Sequence, residues 1–333
     1  MIHVLWSQTN VDEFGSRVPD LLRKKNIDMK LVHVPDDGSA ISAADLQNLE
    51  VACTTRDVRF SEPRFKRFIE TCEQAPKLKW IHFHSSGISQ HTWLPPLMAR
   101  GVKVTTATGM NAEAVAQTGL LGLLMLSRRA PRWIAGQQKR EWAPLRGKDV
   151  PPDLEGETAV IVGLGAIGNR VAEFAKMLRM KVIGVRRSPR RPDDIADEVH
   201  PTAKFKSLLP QADWVILCCP LTKETKHLVD AEAFRLMKPS AFVVNIARGE
   251  VIDEDAMIAV LEQKKIGGAF LDVFKEEPLP AGSPLWNLPN TVVTPHNAGA
   301  AQGNEWRGAE FFVNNLALYA GGKLFAQSST SWT

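Results

Sequence analysis

No stretch of this chain is apolar for long enough to span a bilayer. Its first residues, MIHVLWSQTN, lack the basic segment followed by an apolar run that marks a secretory leader, so a cytoplasmic protein is expected. Cysteine is scarce. Cys53, Cys72, Cys218 and Cys219 form no C-x-x-C pair and show no spacing of a secreted disulfide framework. The neighbours Cys218 and Cys219 would point to opposite faces of a strand, so reduced thiols are the economical reading. Charge of one sign is lacking too. The 41 basic and 37 acidic residues leave a formal net charge of +4, spread along the chain. A general nucleic-acid binder concentrates a much stronger basic excess. Short-period repeats and low-complexity tracts are absent as well.

What is present is an ordinary globular composition over 333 residues, a length that suits two domains. Apolar runs at 2–6, 29–34, 51–55, 78–84 and 102–106 read as strands, with helical patterns at 11–25 and 63–74. Residues 109–129 are rich in Ala and Leu, free of proline, and read as a buried helix. Residues 130–156, rich in Pro, Trp and charge, read as an excursion with little regular core. Strand patterns resume at 158–165, 181–185, 214–219, 241–246, 266–274 and 291–295, and 305–320 is helical again. Such alternation implies parallel β-α-β units, hence an α/β protein of two similarly built domains.

The segment TAVIVGLGAIGNRVAEF carries Gly163, Gly165 and Gly168 in G-x-G-x-x-G spacing, with a strand pattern before it and a helix pattern after it. In that context Gly163 permits the tight turn, Gly165 lets a pyrophosphate approach, and Gly168 lets helix and strand pack closely. Ala166 and Ile167 would offer free N–H groups at the helix start. At the end of the next strand an NAD site places Asp or Glu against the ribose hydroxyls. This chain instead reads GVRRSPRR, residues 184–191. Arginine grips a 2′-phosphate that a carboxylate would repel, so Arg186, Arg187 and Ser188 point to NADP(H) in preference to NAD(H), which stays possible. Arg190 and Arg191 would contribute less. A solvated turn partly neutralised by Asp193 and Asp194 is the alternative.

Three later segments each place polar residues where a strand ends, which is where parallel α/β sheets bind ligands. They carry Arg248, then Asp272 and Glu277, then His296. Reduction of a 2-keto acid needs a cation for the substrate carboxylate and a proton donor for the developing alkoxide. Arg248 suits the first role and His296 the second, with Glu277 favouring the protonated imidazole. Asp272 would fix a nicotinamide carboxamide.

These motifs, GLGAIG, CPLTKET, NIARGEVIDEDAMIAVL, LDVFKEEPLP and TPHNAG, resemble in order and spacing the D-isomer-specific 2-hydroxyacid dehydrogenases, especially the NADPH-preferring glyoxylate and hydroxypyruvate reductases. The resemblance spans 78–320 and implies a flavodoxin-like substrate domain (1–108 and 298–333) into which a Rossmann domain (109–297) is inserted. It implies a triad of Arg248, Glu277 and His296, and a substrate-carboxylate loop using the backbone of Ser86 and Gly87. Cys219, Pro220, Thr225, Ile246 and Ala247 would line the cofactor site beside Arg248 and His296, and no metal is needed. The excursion around Trp142 resembles the arm that embraces a second subunit, implying a homodimer. Gln117 stands where relatives commonly have Glu, which puts a buried ion pair in doubt. His82 and His84 alternate on one strand and would supply only two ligands of a metal site. Of the tryptophans, Trp6, Trp80 and Trp214 fall in strands, while Trp133, Trp142 and Trp286 are loop candidates for shaping a pocket. Two readings stay open beside the reductase: a dinucleotide-sensing corepressor of the same fold, and a family member acting on phosphoglycerate or phosphite.

Overall fold

The structure, a computed structural model, describes residues 1–85, 88 and 91–323. The chain forms two compact units, one from Met1–Met110 with the segment starting at Ala301, the other from Asn111–Ala300. The first contains β1 (Ile2–Leu5), β2 (Met29–Val32), β3 (Leu49–Thr54), β4 (Trp80–Phe83) and β5 (Lys103–Thr106). They pair in parallel in the order β2-β1-β3-β4-β5, the flavodoxin-like order. The second contains β6 (Thr158–Val162), β7 (Lys181–Val185), β8 (Glu198–His200), β9 (Trp214–Leu217), β10 (Phe242–Asn245), β11 (Gly268–Leu271) and β12 (Thr291–Val293). Their order is β12-β11-β10-β9-β6-β7-β8, all parallel, which is the doubly wound Rossmann pattern with one added edge strand.

These strands read as continuous apolar runs because both sheet faces are covered. In β9, Val215 and Leu217 enter one core while Trp214 and Ile216 enter the opposite one. Val160 and Val162 of β6 likewise face the first core, and Ala159 and Ile161 the second. Cys219 lies in the first core and Cys218 packs against the second, so the adjacent thiols do point to opposite faces. All four cysteines are free. Burial pushes the Cys219 thiol up to about 11, which keeps it protonated and unreactive near neutral pH.

Local chemistry explains where the elements depart from expectation. The helix expected over 11–25 breaks at Gly15 (φ +53°) into Gln8–Glu13, capped by the Ser7 hydroxyl, and Arg17–Lys24. The excursion contains a regular helix, Ala130–Lys139, which starts at a left-handed Arg129 with a proline in its first turn. Trp6, Trp80 and Trp214 are buried, and each indole N–H has an acceptor: Asn10 Oδ1, Thr105 Oγ1 and Glu157 Oε2. Among the described residues no helix is long and apolar enough to cross a membrane.

Candidate active site

Strand β6 runs into Gly163, whose φ of +97° turns the chain. A side chain there would meet the backbone of Cys219 at 2.7 Å, so this turn is packed against the loop that follows β9. Gly168 is tighter still, since an added Cβ would lie 1.9 Å from the Gly163 carbonyl oxygen. Gly165 has the opposite surroundings: it caps the helix Ala166–Met177 and faces open space. Asn169 N is the first amide of that helix bonded back to Gly165 O, so the N–H groups of Ala166, Ile167 and Gly168 have no acceptor within the helix. No acidic residue occupies the first turn. An open glycine and free amides at a helix start, with no competing carboxylate, fit a dinucleotide pyrophosphate.

The arginine turn is sorted differently from the sequence expectation. Arg186 is buried, and its Nη1 donates to both carboxylate oxygens of Asp194 at 2.7 Å. Arg190 donates to the carbonyls of Ala196 and Asp197. Arg187 and Ser188 are exposed. The four arginines are therefore not equivalent: Arg186 is bound inward, and Arg190 is exposed but tied to backbone carbonyls.

Strand β10 ends in Asn245, whose side chain accepts from Ala247 N and donates to Arg248 O. This Asx turn aims Arg248 outward and leaves Ile246 and Ala247 buried beneath it. Arg248 Nη1 rests on Ala247 O at 2.6 Å. Gly249 presses the turn onto a second loop, for a Cβ there would lie 1.9 Å from Phe274 C. In that loop Phe274 N donates to Glu277 Oε1, and Glu277 Oε2 lies 2.6 Å from His296 Nδ1. With a carboxylate as partner, Nδ1 carries the proton and Nε2 is the nitrogen left for chemistry. The structure thus brings Glu277 and His296 into contact, and stacks the Arg248 turn on the Glu277 loop.

His296 itself has φ +49°, a left-handed conformation that needs support. Asp272 supplies it. Its Oδ1 accepts from Thr294 Oγ1 at 2.6 Å and Asn297 N at 2.9 Å, its Oδ2 accepts from Ala298 N at 3.0 Å, and its carbonyl accepts from His296 N at 2.8 Å. The carboxylate expected to hold a nicotinamide carboxamide is engaged in shaping the histidine loop. Thr225, expected beside the cofactor, similarly turns inward: its hydroxyl donates to Pro220 O at 2.7 Å and accepts from Thr222 N at 2.7 Å. Cys219 is buried beneath the same loop and Pro220 is exposed on it.

Several supporting residues escaped the sequence reading: Asn245, Thr294, and Glu113, which pairs with Arg170 Nε at 2.6 Å. Gln117 donates to that same Glu113, so an ion pair between the two helices exists one turn before the position the sequence put in doubt. An Asn three residues before an Arg-Gly pair is a turn signal that would have flagged Asn245. Ser86 and Gly87 lie outside the described residues. His82 is in the core, stacked on Phe312 and within 2.7 Å of Thr105 Oγ1. His84 is buried beside it, and among the described residues no three His, Cys, Asp or Glu side chains gather as a metal site. Trp133, Trp142 and Trp286 are exposed, and Trp286 donates to Pro280 O.

A family model, that of the D-isomer specific 2-hydroxyacid dehydrogenase NAD binding domain, matches residues 120–298. The chain belongs to this dehydrogenase family. A glyoxylate reductase of Thermofilum pendens is 37% identical to the dehydrogenase over 264 residues, 77% of this chain and 76% of the relative. An (S)-sulfolactate dehydrogenase of Chromohalobacter salexigens is 38% identical over 221 residues, 65% of this chain and 69% of that one. Among solved structures, a D-isomer specific 2-hydroxyacid dehydrogenase from Xanthobacter autotrophicus Py2 in complex with NADPH and MES covers 98% of this chain and 97% of its own, with TM-score 0.74 and 26% identity. The dehydrogenase is an NAD(P)-dependent oxidoreductase acting through a nicotinamide dinucleotide.

Proposed function

We propose that this dehydrogenase reduces small 2-keto acids of the glyoxylate and hydroxypyruvate type to 2-hydroxy acids, with NADPH as preferred cofactor and NADH as a poorer substitute. The observation that carries this reading is the 2.6 Å pair of His296 and Glu277, stacked through Gly249 against the Arg248 turn on a domain with a dinucleotide glycine loop. The glyoxylate reductase relative and the NADPH-bound neighbour support it. We assign cofactor binding to the unit Asn111–Ala300 and substrate selection to the other.

In this reading Gly163, Gly165 and Gly168, with the amides of Ala166 and Ile167, hold the pyrophosphate, and the turn from Arg186 to Ser188 meets the 2′-phosphate. Cys219, Pro220, Ile246 and Ala247 line the rest. When bound there, a reduced nicotinamide would supply the hydride that the substrate's carbonyl carbon takes up. Arg248 grips the substrate carboxylate through its planar fork, which fixes the face of the carbonyl presented. His296 Nε2 gives its proton to the carbonyl oxygen as negative charge develops there. Glu277 stabilises the imidazolium that stands before the transfer and keeps the remaining proton on Nδ1 after it. One hydride and one proton complete the hydroxy acid, and the reverse reaction returns the hydroxyl proton to Nε2.

Steady-state assays with glyoxylate, hydroxypyruvate, pyruvate and sulfopyruvate, each with NADPH and NADH, test the assignment. Arg248→Ala should lower turnover at least about 100-fold while dinucleotide binding, read by fluorescence titration, stays near wild type. Normal turnover in that variant removes Arg248 from the site. We also propose a homodimer, because Trp142 is 96% exposed and Trp133 and Ile134 of the same excursion are exposed with it. Light scattering reads this directly, and a monomer mass refutes it.

A further inference from the structure

Arg186 is only 8% exposed and its partner Asp194 is fully buried, so the pair is internal to the fold rather than a surface contact. Asp194 does more than neutralise Arg186. It accepts from Arg191 N at 2.7 Å, closing the turn three residues back, and from Asn169 Nδ2 at 3.4 Å. Asn169 belongs to the helix that starts at the glycine loop, and its own Oδ1 accepts from Ile195 N at 3.1 Å. Burial raises the Asp194 carboxyl, but the hydrogen bonds from Arg191, Arg186 and Asn169 outweigh it and hold the group below the usual carboxylate range. The aspartate is therefore charged and has three tethers: the end of β7, the far end of the arginine turn, and the phosphate helix. Between these fixed points stand Arg187 and Ser188, both exposed.

We infer that Asp194 is a positioning residue for cofactor selectivity: it draws Arg186 inward as a brace, so that Arg187 and Ser188, not Arg186, present the donors for a 2′-phosphate. This rests on the NADPH reading above and assigns the discrimination within it. The physical ground is competition for one guanidinium. Arg186 Nη1 is committed to both oxygens of a buried carboxylate and Nε is enclosed without a partner, so only Nη2 is left for a ligand and the guanidinium cannot offer a paired fork in this conformation. To grip a phosphate through paired bonds Arg186 would have to leave Asp194 as an unpaired buried charge, which is far costlier than using an exposed neighbour.

The sign of one substitution separates the two roles. Asp194→Asn removes a negative charge near the 2′-phosphate position, which by itself would tighten NADPH binding. If Asp194 is a brace, the loosened turn outweighs that gain, and KM for NADPH rises about tenfold while kcat and KM for NADH stay within about twofold. Unchanged or tighter NADPH binding overturns the inference. The double variant Arg186→Gln, Asp194→Asn replaces the ion pair with a neutral amide pair. It should restore the NADPH-to-NADH preference to within about threefold of wild type, whereas Arg187→Gln should abolish it. A double variant that stays indifferent to the 2′-phosphate makes Arg186 the reader and overturns the inference, and it remains informative if Asp194→Asn alone fails to fold. Wild-type binding of 2′,5′-ADP against 5′-AMP is measured in parallel by calorimetry. Equal affinities there refute the NADPH reading itself, and a strong preference combined with an unmoved Asp194→Asn variant refutes only the brace.

Discussion

Asp272 gives the sharpest prediction, because its side chain is 1% exposed and holds the loop on which His296 stands. Three donors converge on its carboxylate: the Thr294 hydroxyl and the amides of Asn297 and Ala298. Leaving a buried donor unsatisfied costs about 1–3 kcal/mol. Asn297 is exposed and water can replace its partner, whereas Ala298 is buried. Asp272→Ala should therefore destabilise the unit by roughly 3–5 kcal/mol. Asp272→Asn keeps one acceptor oxygen but loses the charge assistance, and should cost roughly 1–3 kcal/mol. The functional effect should exceed the stability effect. Without its anchor, His296 can relax from φ +49° and draw away from Glu277. A shift of about 1 Å is worth about 100-fold in rate. The assay is pre-steady-state reduction of glyoxylate by Asp272→Asn beside urea unfolding and dinucleotide titration. The expected result is kcat down about 100-fold with dinucleotide affinity within about threefold. Wild-type kcat would show that the loop does not depend on the carboxylate. A parallel loss of dinucleotide affinity would instead assign Asp272 to the carboxamide.

The glycine loop offers a paired test, since Gly165→Ala points into open space and should keep the wild-type unfolding midpoint while weakening dinucleotide binding at least about tenfold. Gly168→Ala drives a Cβ into the Gly163 carbonyl and should cost roughly 1–3 kcal/mol of stability as well, so equal midpoints for the two variants would refute the packing role. In the first unit, burial depresses the folded-state value of the His84 imidazole to about 4, against an ordinary value of 6.5. Between those values the unfolded chain takes up the proton and the folded chain does not, so this contribution is full above pH 6.5 and lost as pH falls through 4. It amounts to roughly 3 kcal/mol, and urea unfolding of His84→Asn from pH 7 to pH 4 should show a shallower loss than wild type. Identical slopes would mean that His84 is open to solvent.

Much of the fold was legible because it is written in short-range pattern. Strands covered on both faces appear as unbroken apolar runs, and the helix after Gly165 carries its own start signal. The same locality misled where elements are short or interrupted. Three residues suffice for β8, too few for a period to show, and Gly15 split a helix that composition alone would have continued. The Ala130–Lys139 helix was hidden because its exposed face carries as much tryptophan and charge as a loop.

By itself the sequence determined the parallel β-α-β alternation, the glycine turn, and the placement of Arg248, Glu277 and His296 after successive strands of one sheet. Those features depend on residues within a few positions of each other. The sequence already set Glu277 beside His296, and the fold gives that pair its 2.6 Å contact; only the tertiary structure decided the 294–298 loop for Asp272 and the pairing of Asp194 with Arg186. A buried charge or donor takes the complementary group that packing brings within about 3 Å, and sequence spacing does not encode that distance. The basic turn shows the consequence, for four arginines that look alike in the chain become one buried brace, Arg186, and three exposed cations, of which Arg190 is tied to backbone carbonyls.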